Sequence, residues 1–395
     1  MGNSIIVVKK DGRIVTCLAN EKELLTIQVD PDDDSRLVGS IFLGKVQNIV
    51  KNIHAAFVEI ENRQICYLPL GTVTKPYFSD SGEHPIRVGD ELMVQIVKEA
   101  TDVKAPLATA DITLTGKYLV LAAGSDRVGV SAKITDEEKR GELKDIIAKY
   151  QTDEYGFIVR TNAGSADAKL IEREAEALTA EFEKIKGLTR SRTCYSKLYT
   201  APPSYIFEIR NGYSESTDRI RTDAPDIYRK IKEYMEATGD PDINKLELYQ
   251  DEKVSLSTVY NINSQLEKAL KQTVWMNSGA YLVIQPTEAL VSIDVNTGKA
   301  ITGKQDTENT FFKVNCEAAE EIGRQLRLRN LSGIIIVDFI DMKSEEHKRE
   351  LMARLKSVLE RDSVPAQVVD MTALNLVEIT RKKIRRPLYE QIKDE

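Results

Sequence analysis

Two apolar runs that each end in an aspartate constrain this chain more than any other feature. The first is Val291-Ser292-Ile293-Asp294 and the second is Ile334-Ile335-Ile336-Val337-Asp338, so the two acids stand 44 positions apart. Between them, from about Thr307 to Arg329, Phe312, Cys316, Ala319, Ile322 and Leu326 recur at three-to-four spacing, which predicts an amphipathic helix. A strand near 333–342, a helix over 345–361 and a final strand near 366–370 follow. The segment reads as α/β, and in an open α/β sheet ligands gather at the carboxyl ends of strands. Two carboxylates close together there repel unless a cation lies between them. Mg²⁺, a hard ion that keeps several of its waters, is the natural choice, and it suits chemistry on a phosphate. Asn296 and Asp341 are available to orient the acids from behind. An ordinary account stands beside this one. Asp294 ends a strand, Asn296, Thr297 and Gly298 form a turn, and Asp341 caps the next helix. Thr302-Gly303-Lys304 lacks the spacing of a phosphate-binding P-loop.

Composition narrows the chemistry further. Only three histidines occur (His54, His84 and His347), so carboxylates and a metal are better provided for than imidazole pairs. Cys17, Cys66, Cys194 and Cys316 are scattered, with no pair at CxxC spacing, so neither zinc nor a disulfide framework is expected. A reducing cytoplasm is the natural setting. No apolar run approaches the roughly 20 residues of a membrane span, and the N-terminus reads as a first strand, not a signal peptide. A formal net charge of −7 argues against an overall basic surface but not against a local basic groove.

Upstream, residues 3–30 read as an antiparallel meander. Residues 37–70, with another strand near 91–98, carry short β-rich runs at the spacing of a small OB-type barrel. Phe57 and Tyr67 have two readings there, as barrel core or as a base-stacking platform beside Lys45, Lys51, Lys98 and Lys104. Residues 118–200 alternate strands with two charged helices. Within them, Arg160 and Thr161 follow the strand "GFIV" and form either an anion-binding corner or a plain strand end. In 204–270, "SYIFEIR" reads as a strand and the following segments as helices. "VWMNSGAYLVIQPTEALVSIDV" reads as a hairpin leading into the α/β segment.

The stretches "PTEALVSIDVNTGKA", "EAAEEIGRQLRLRNLSGIIIVDFIDM" and "LVEITRKK" closely resemble the catalytic core of the ribonuclease E/G family of bacterial endoribonucleases, with forms nearest its ribonuclease G branch. "GSIFLGKV" and "AAFVEI…YLPL" resemble that family's OB module, and "GFIVRTNA" its 5′-end sensor. The resemblance implies an RNase H-like subdomain from 1–35 and 204–271. An OB-fold RNA-binding domain is inserted at 36–117 and a 5′-sensor at 118–203. A DNase I-like catalytic domain follows at 272–395. It places the Mg²⁺ ligands on Asp294 and Asp338 (Mn²⁺ being the alternative ion), with Asn296 in support. It places a 5′-monophosphate pocket on Arg160 and Thr161, and RNA contacts on Phe57, Tyr67 and Lys104. The implied activity is cleavage of single-stranded, A/U-rich RNA in rRNA processing and mRNA decay, leaving a 5′-phosphate and a 3′-hydroxyl. A non-catalytic RNA-binding or ribosome-assembly protein is the alternative. The family's cysteine-bearing zinc linker has no counterpart, so no zinc is expected and a homodimer stays an open state. The basic run Arg381, Lys382, Lys383, Arg385 and Arg386 reads equally as a backbone contact or as a solvated helix face.

Overall fold

The structure is a computed structural model and describes residues 2–393 apart from 22, 33–36, 81, 83, 101–103, 212–216, 252 and 301–306. Thr302, Gly303 and Lys304 lie outside the described residues. The chain forms two compact units. One contains Met1–Asp30, Ser216–Pro225 and Glu247–Glu395, and the other Pro31–Glu215 and Asp226–Leu246. The stretch 204–271 is therefore divided between them. Among the described residues no helix is long and apolar enough to cross a membrane.

In the Pro31–Leu246 unit, strands Ile41–Val50, Ala55–Glu59, Ile65–Pro69, Leu107–Thr109 and Glu91–Lys98 pair in that order. The last pairs back onto the first and closes a five-stranded barrel. Closure removes the exposed strand edges that invite non-native pairing. Phe42, Val46, Val58, Leu68, Leu92, Val94 and Ile96 fill its interior. Thr113–Thr115 lies past the barrel and joins a second sheet with Leu119–Ala123, Tyr155–Val159 and Val128–Val130. Helices Glu137–Ala148 and Ala168–Ser191 contribute Leu143, Ile147, Ile171 and Phe182 to the core beneath that sheet.

A buried carboxylate organises this second sheet. Glu174 accepts hydrogen bonds from three successive amides, those of Lys117 at 2.6 Å and of Tyr118 and Leu119 at 2.7 Å each. Burial pushes its carboxyl above the usual range while the amides pull it back. Gly116 is required beside it, because a Cβ there would sit 2.4 Å from the Glu174 carboxyl carbon. Lys117 in turn reaches Asp240 at 2.7 Å and Asp242 at 3.0 Å, tying residues 240–242 to the turn between two strands of this sheet.

"SYIFEIR" is a helix, Ser204–Asn211, where a strand was expected. Tyr205, Ile206 and Ile209 are buried at helical spacing, and the amides of Ile206 and Phe207 both donate to the Pro203 carbonyl. A proline at the start of a helix costs no hydrogen bond, so Pro203 begins this one readily.

The other unit carries a sheet of six strands. They are β1 (Thr273–Trp275), β2 (Tyr281–Pro286), β3 (Leu290–Asn296), β4 (Gly333–Asp338), β5 (Ala366–Met371) and β6 (Leu376–Arg381), in the order β1-β2-β3-β4-β6-β5. Only β3 and β4 run parallel, joined through helix α1 (Thr307–Leu328), while α2 (Glu345–Glu360) follows β4. Leu282, Ile284, Ile293, Val295, Ile335, Val337, Val377 and Ile379 point to one face and pack with Ala318, Ile322, Leu326, Leu351 and Leu355 of the helices. Strand β6 was not expected. Its alternation buries Val377, Ile379 and Arg381, so the head of the basic run is a strand end and not a helix face. Arg381 is consumed internally: its Nε donates to Asp362 at 2.8 Å and its Nη1 to Asn330 and Leu331 at 3.0 Å.

Glu174→Ala leaves three amides without acceptors. It is expected to cost about 3 kcal/mol, read as a lower urea midpoint. An unchanged midpoint would show that the carboxylate does not organise the sheet.

Candidate active site and strand-binding surface

Parallel pairing in register does what spacing alone could not establish: Asp294 stands directly opposite Asp338, as the last pair of the β3–β4 ladder. Successive side chains of a strand alternate faces. Both acids therefore fall on the face away from the helices, and both are exposed. Asn296, two residues on and hence on the same face, donates from its side-chain amide to the Asp294 carboxylate at 2.6 Å. Partial loss of solvent around Asp338, and then the charges of Asp294 and Asp341, push its carboxyl above the usual aspartate range.

Asp341 does not cap α2. That role belongs to Ser344, whose hydroxyl accepts from the His347 amide at 3.3 Å. Asp341 instead accepts from the Asn375 side chain at 3.2 Å and adds its charge to the acidic cluster. Among the described residues no three His, Cys, Asp or Glu side chains converge as a complete cage. Two facing carboxylates fit a cation that keeps most of its own waters, and Asp294 and Asp338 are the residues that could hold one.

The segment after Asp338 is gripped by α1 through residues that sequence reading missed. Asn315, fully buried, donates to the Ile340 carbonyl at 2.8 Å and accepts from the Ile340 amide at 3.1 Å. Glu308 accepts from the amides of Lys343 and Ser344, each at 3.0 Å, and these bonds hold its carboxyl below the usual range. The available signal was Asn315 itself, a polar residue on the buried face of an apolar helix. On the other strand, Gly298 adopts φ +51°, and a Cβ would lie 2.3 Å from the Gly279 carbonyl. That clearance lets the Lys299 amide donate to the same carbonyl at 3.0 Å, which fastens the turn after Asn296 to the β1–β2 hairpin.

In the barrel, Phe57 and Tyr67 are a cross-strand pair with ring centroids 6.1 Å apart in an edge-on arrangement. Both are half-buried and absent from the core cluster, while Lys104 is exposed beyond the neighbouring strand. In the second sheet, the Arg160 guanidinium donates to the Gly116 carbonyl and to the Asn211 side chain. Thr161, exposed, lies 3.0 Å from the Ser131 hydroxyl. Among the described residues Arg160 donates to neutral oxygens, while burial lowers its pKa and the charge of the Glu174 carboxylate acts against that.

A closed barrel bearing a half-buried aromatic pair, and a sheet bearing two opposed carboxylates with an amide in support, suit a protein that handles nucleic acid. Residues 113–384 match the Ribonuclease E/G family and residues 37–108 the S1 RNA binding domain. Ribonuclease G of Escherichia coli K12 is 34% identical over 377 residues, covering 92% of this chain and 76% of that protein. Ribonuclease G of Haemophilus influenzae is 32% identical, covering 94% and 78%. Ribonuclease E of Synechocystis is 34% identical, covering 90% and 54%. The chain belongs to the ribonuclease E/G family.

Because Asp338 carries charge against Asp294 and Asp341, Asp338→Asn is expected to raise the thermal midpoint measured in EDTA. A divalent cation is expected to raise the wild-type midpoint and to have a smaller effect on the variant. A lower midpoint for Asp338→Asn in EDTA would contradict the repulsion argument.

Proposed function

We propose that this chain is a Mg²⁺-dependent endoribonuclease that cuts single-stranded, A/U-rich RNA in RNA processing and decay, leaving a 5′-phosphate and a 3′-hydroxyl. The observation that carries this reading is the in-register opposition of Asp294 and Asp338, with Asn296 bonded to the first. Asp294 and Asp338 hold the ion, and Asn296 fixes the rotamer of Asp294. When bound, Mg²⁺ supplies positive charge against the charge building on the phosphate and makes water a better nucleophile. The exposed face of β3 and β4 leaves room for the phosphodiester, and Asn315 and Glu308 keep the chain after Asp338 from drifting.

The barrel takes the strand by its bases on Phe57 and Tyr67 and by its backbone on Lys104. Arg160 and Thr161 receive a 5′-monophosphate: a guanidinium ringed by neutral acceptors keeps its charge for an anion, and a hydroxyl stands next to it. In this reading 272–395 form the DNase I-like catalytic domain and 118–203 the sensor, with 1–35 and 204–271 as the RNase H-like subdomain. Partners are rRNA precursors and mRNA, in the cytoplasm.

The test is cleavage of a 5′-monophosphorylated, A/U-rich single strand. Asp294→Asn is expected to lose about a thousandfold in rate, the several kcal/mol of charge stabilisation a held metal provides. EDTA is expected to abolish the wild-type reaction. A wild type as inert as the variant would leave the alternative, a non-catalytic RNA-binding protein. Exchanging the 5′-monophosphate for a 5′-hydroxyl is expected to slow cleavage roughly tenfold, the worth of one charge-assisted hydrogen bond. Arg160→Ala should erase that difference, and equal rates on both ends in the wild type would remove Arg160 and Thr161 from the site.

A further inference from the structure

The open face that bears the acids also bears an aromatic pair. Trp275 of β1 is registered with Tyr281 of β2, and Tyr281 with Asn296 of β3. Their neighbours Val274, Leu282 and Val295 point into the core, so Trp275, Tyr281 and Asn296 form one row on the opposite face. Asp294 lies in the next row, level with Val283. The two rings pack with centroids 4.9 Å apart and planes inclined at 47°. Trp275 is 63% exposed, a large apolar area for an aromatic side chain to leave in water. With strands about 4.8 Å apart, Trp275 stands on the order of 10 Å across the sheet from the strand that carries Asp294.

The platform is held in place. Glu317 of α1 accepts from the amides of Asn277 at 2.8 Å and Ser278 at 3.3 Å, pinning the β1–β2 turn to the helix. The Gly279 carbonyl of that turn takes the Lys299 amide, which brings an exposed lysine beside the hairpin. Aromatic faces, a neighbouring cation and phosphodiester-cutting acids on one continuous surface match a single-stranded nucleic acid better than a protein partner. Stacking on an aromatic accepts any base, and a lysine accepts the phosphate.

We propose that Trp275, supported by Tyr281, stacks the base of a nucleotide next to the cleaved bond and so sets which phosphodiester sits over Asp294 and Asp338. The proposal rests on the ribonuclease reading above. Stacking of this kind is binding shared by ground state and transition state, so its loss falls mainly on KM.

The chain contains a single tryptophan, which makes Trp275 its own reporter. Titrating a 5′-monophosphorylated A/U-rich single strand into the whole protein in EDTA is expected to quench and shift the Trp275 emission, while anisotropy of a labelled strand follows binding independently. In Mg²⁺, Trp275→Ala is expected to raise KM about tenfold with a smaller change in kcat, and Trp275→Phe to restore most of it. An abasic substitution at one nucleotide flanking the cut should cost the wild type the same factor and cost Trp275→Ala nothing more. Binding by anisotropy with unchanged emission would overturn the platform and leave the ribonuclease reading intact, and so would multiplying penalties for the variant and the abasic strand. A wild type that neither binds nor cuts the intact strand would overturn both.

Discussion

Everything at the candidate site depends on two like charges held side by side by a sheet. Parallel hydrogen bonding between β3 and β4 fixes Asp294 opposite Asp338, and neither strand can withdraw its acid without breaking the ladder. The cost of that placement shows in the carboxyl of Asp338, which partial desolvation and its two acidic neighbours raise. The packed underside of the same strands, with Ile293, Val295, Ile335 and Val337 against the helices, supplies the stability that opposes it.

The two units solve a similar problem with opposite means. In the six-stranded sheet two like charges stand side by side on the exposed face. In the second sheet of the other unit, Glu174 is surrounded by amides and Lys117 by Asp240 and Asp242, so buried charge is answered locally. Arg160 sits between these extremes, held in place by oxygens that carry no formal charge. Those bonds fix the geometry at that corner, and the proposed 5′-monophosphate pocket rests on the charge they leave on Arg160.

The parts of the fold and the site legible in the sequence were those written in local pattern. Asp294 and Asp338 stood out because each ended an apolar run, and the barrel because its runs were short and evenly spaced. Register was not legible: nothing local states that β3 and β4 pair acid against acid. Strand β6 was hidden by its charge, since Arg381 occupies an inward position that only its bonds to Asp362, Asn330 and Leu331 make tolerable. The Ser204–Asn211 helix was masked by β-favouring residues whose helical spacing outweighs their propensity. Asn315 and Glu308 act on chain segments 25 or more residues away, a distance no window of sequence reports. Trp275 and Tyr281 were visible only as members of a hairpin, and their shared face with the acids appears only once the strands are in order.

The attachment of both acids to sheet strands, and not to loops, has a consequence for how such an enzyme diversifies. The β1–β2 turn, the stretch following Asn296 and the segment following Asp338 border the acids without carrying them. On the proposed function, substitutions in these borders would alter what strand is gripped and where it is cut, while the acids stay anchored to backbone hydrogen bonds. On that reading, substrate choice is separable from reactivity.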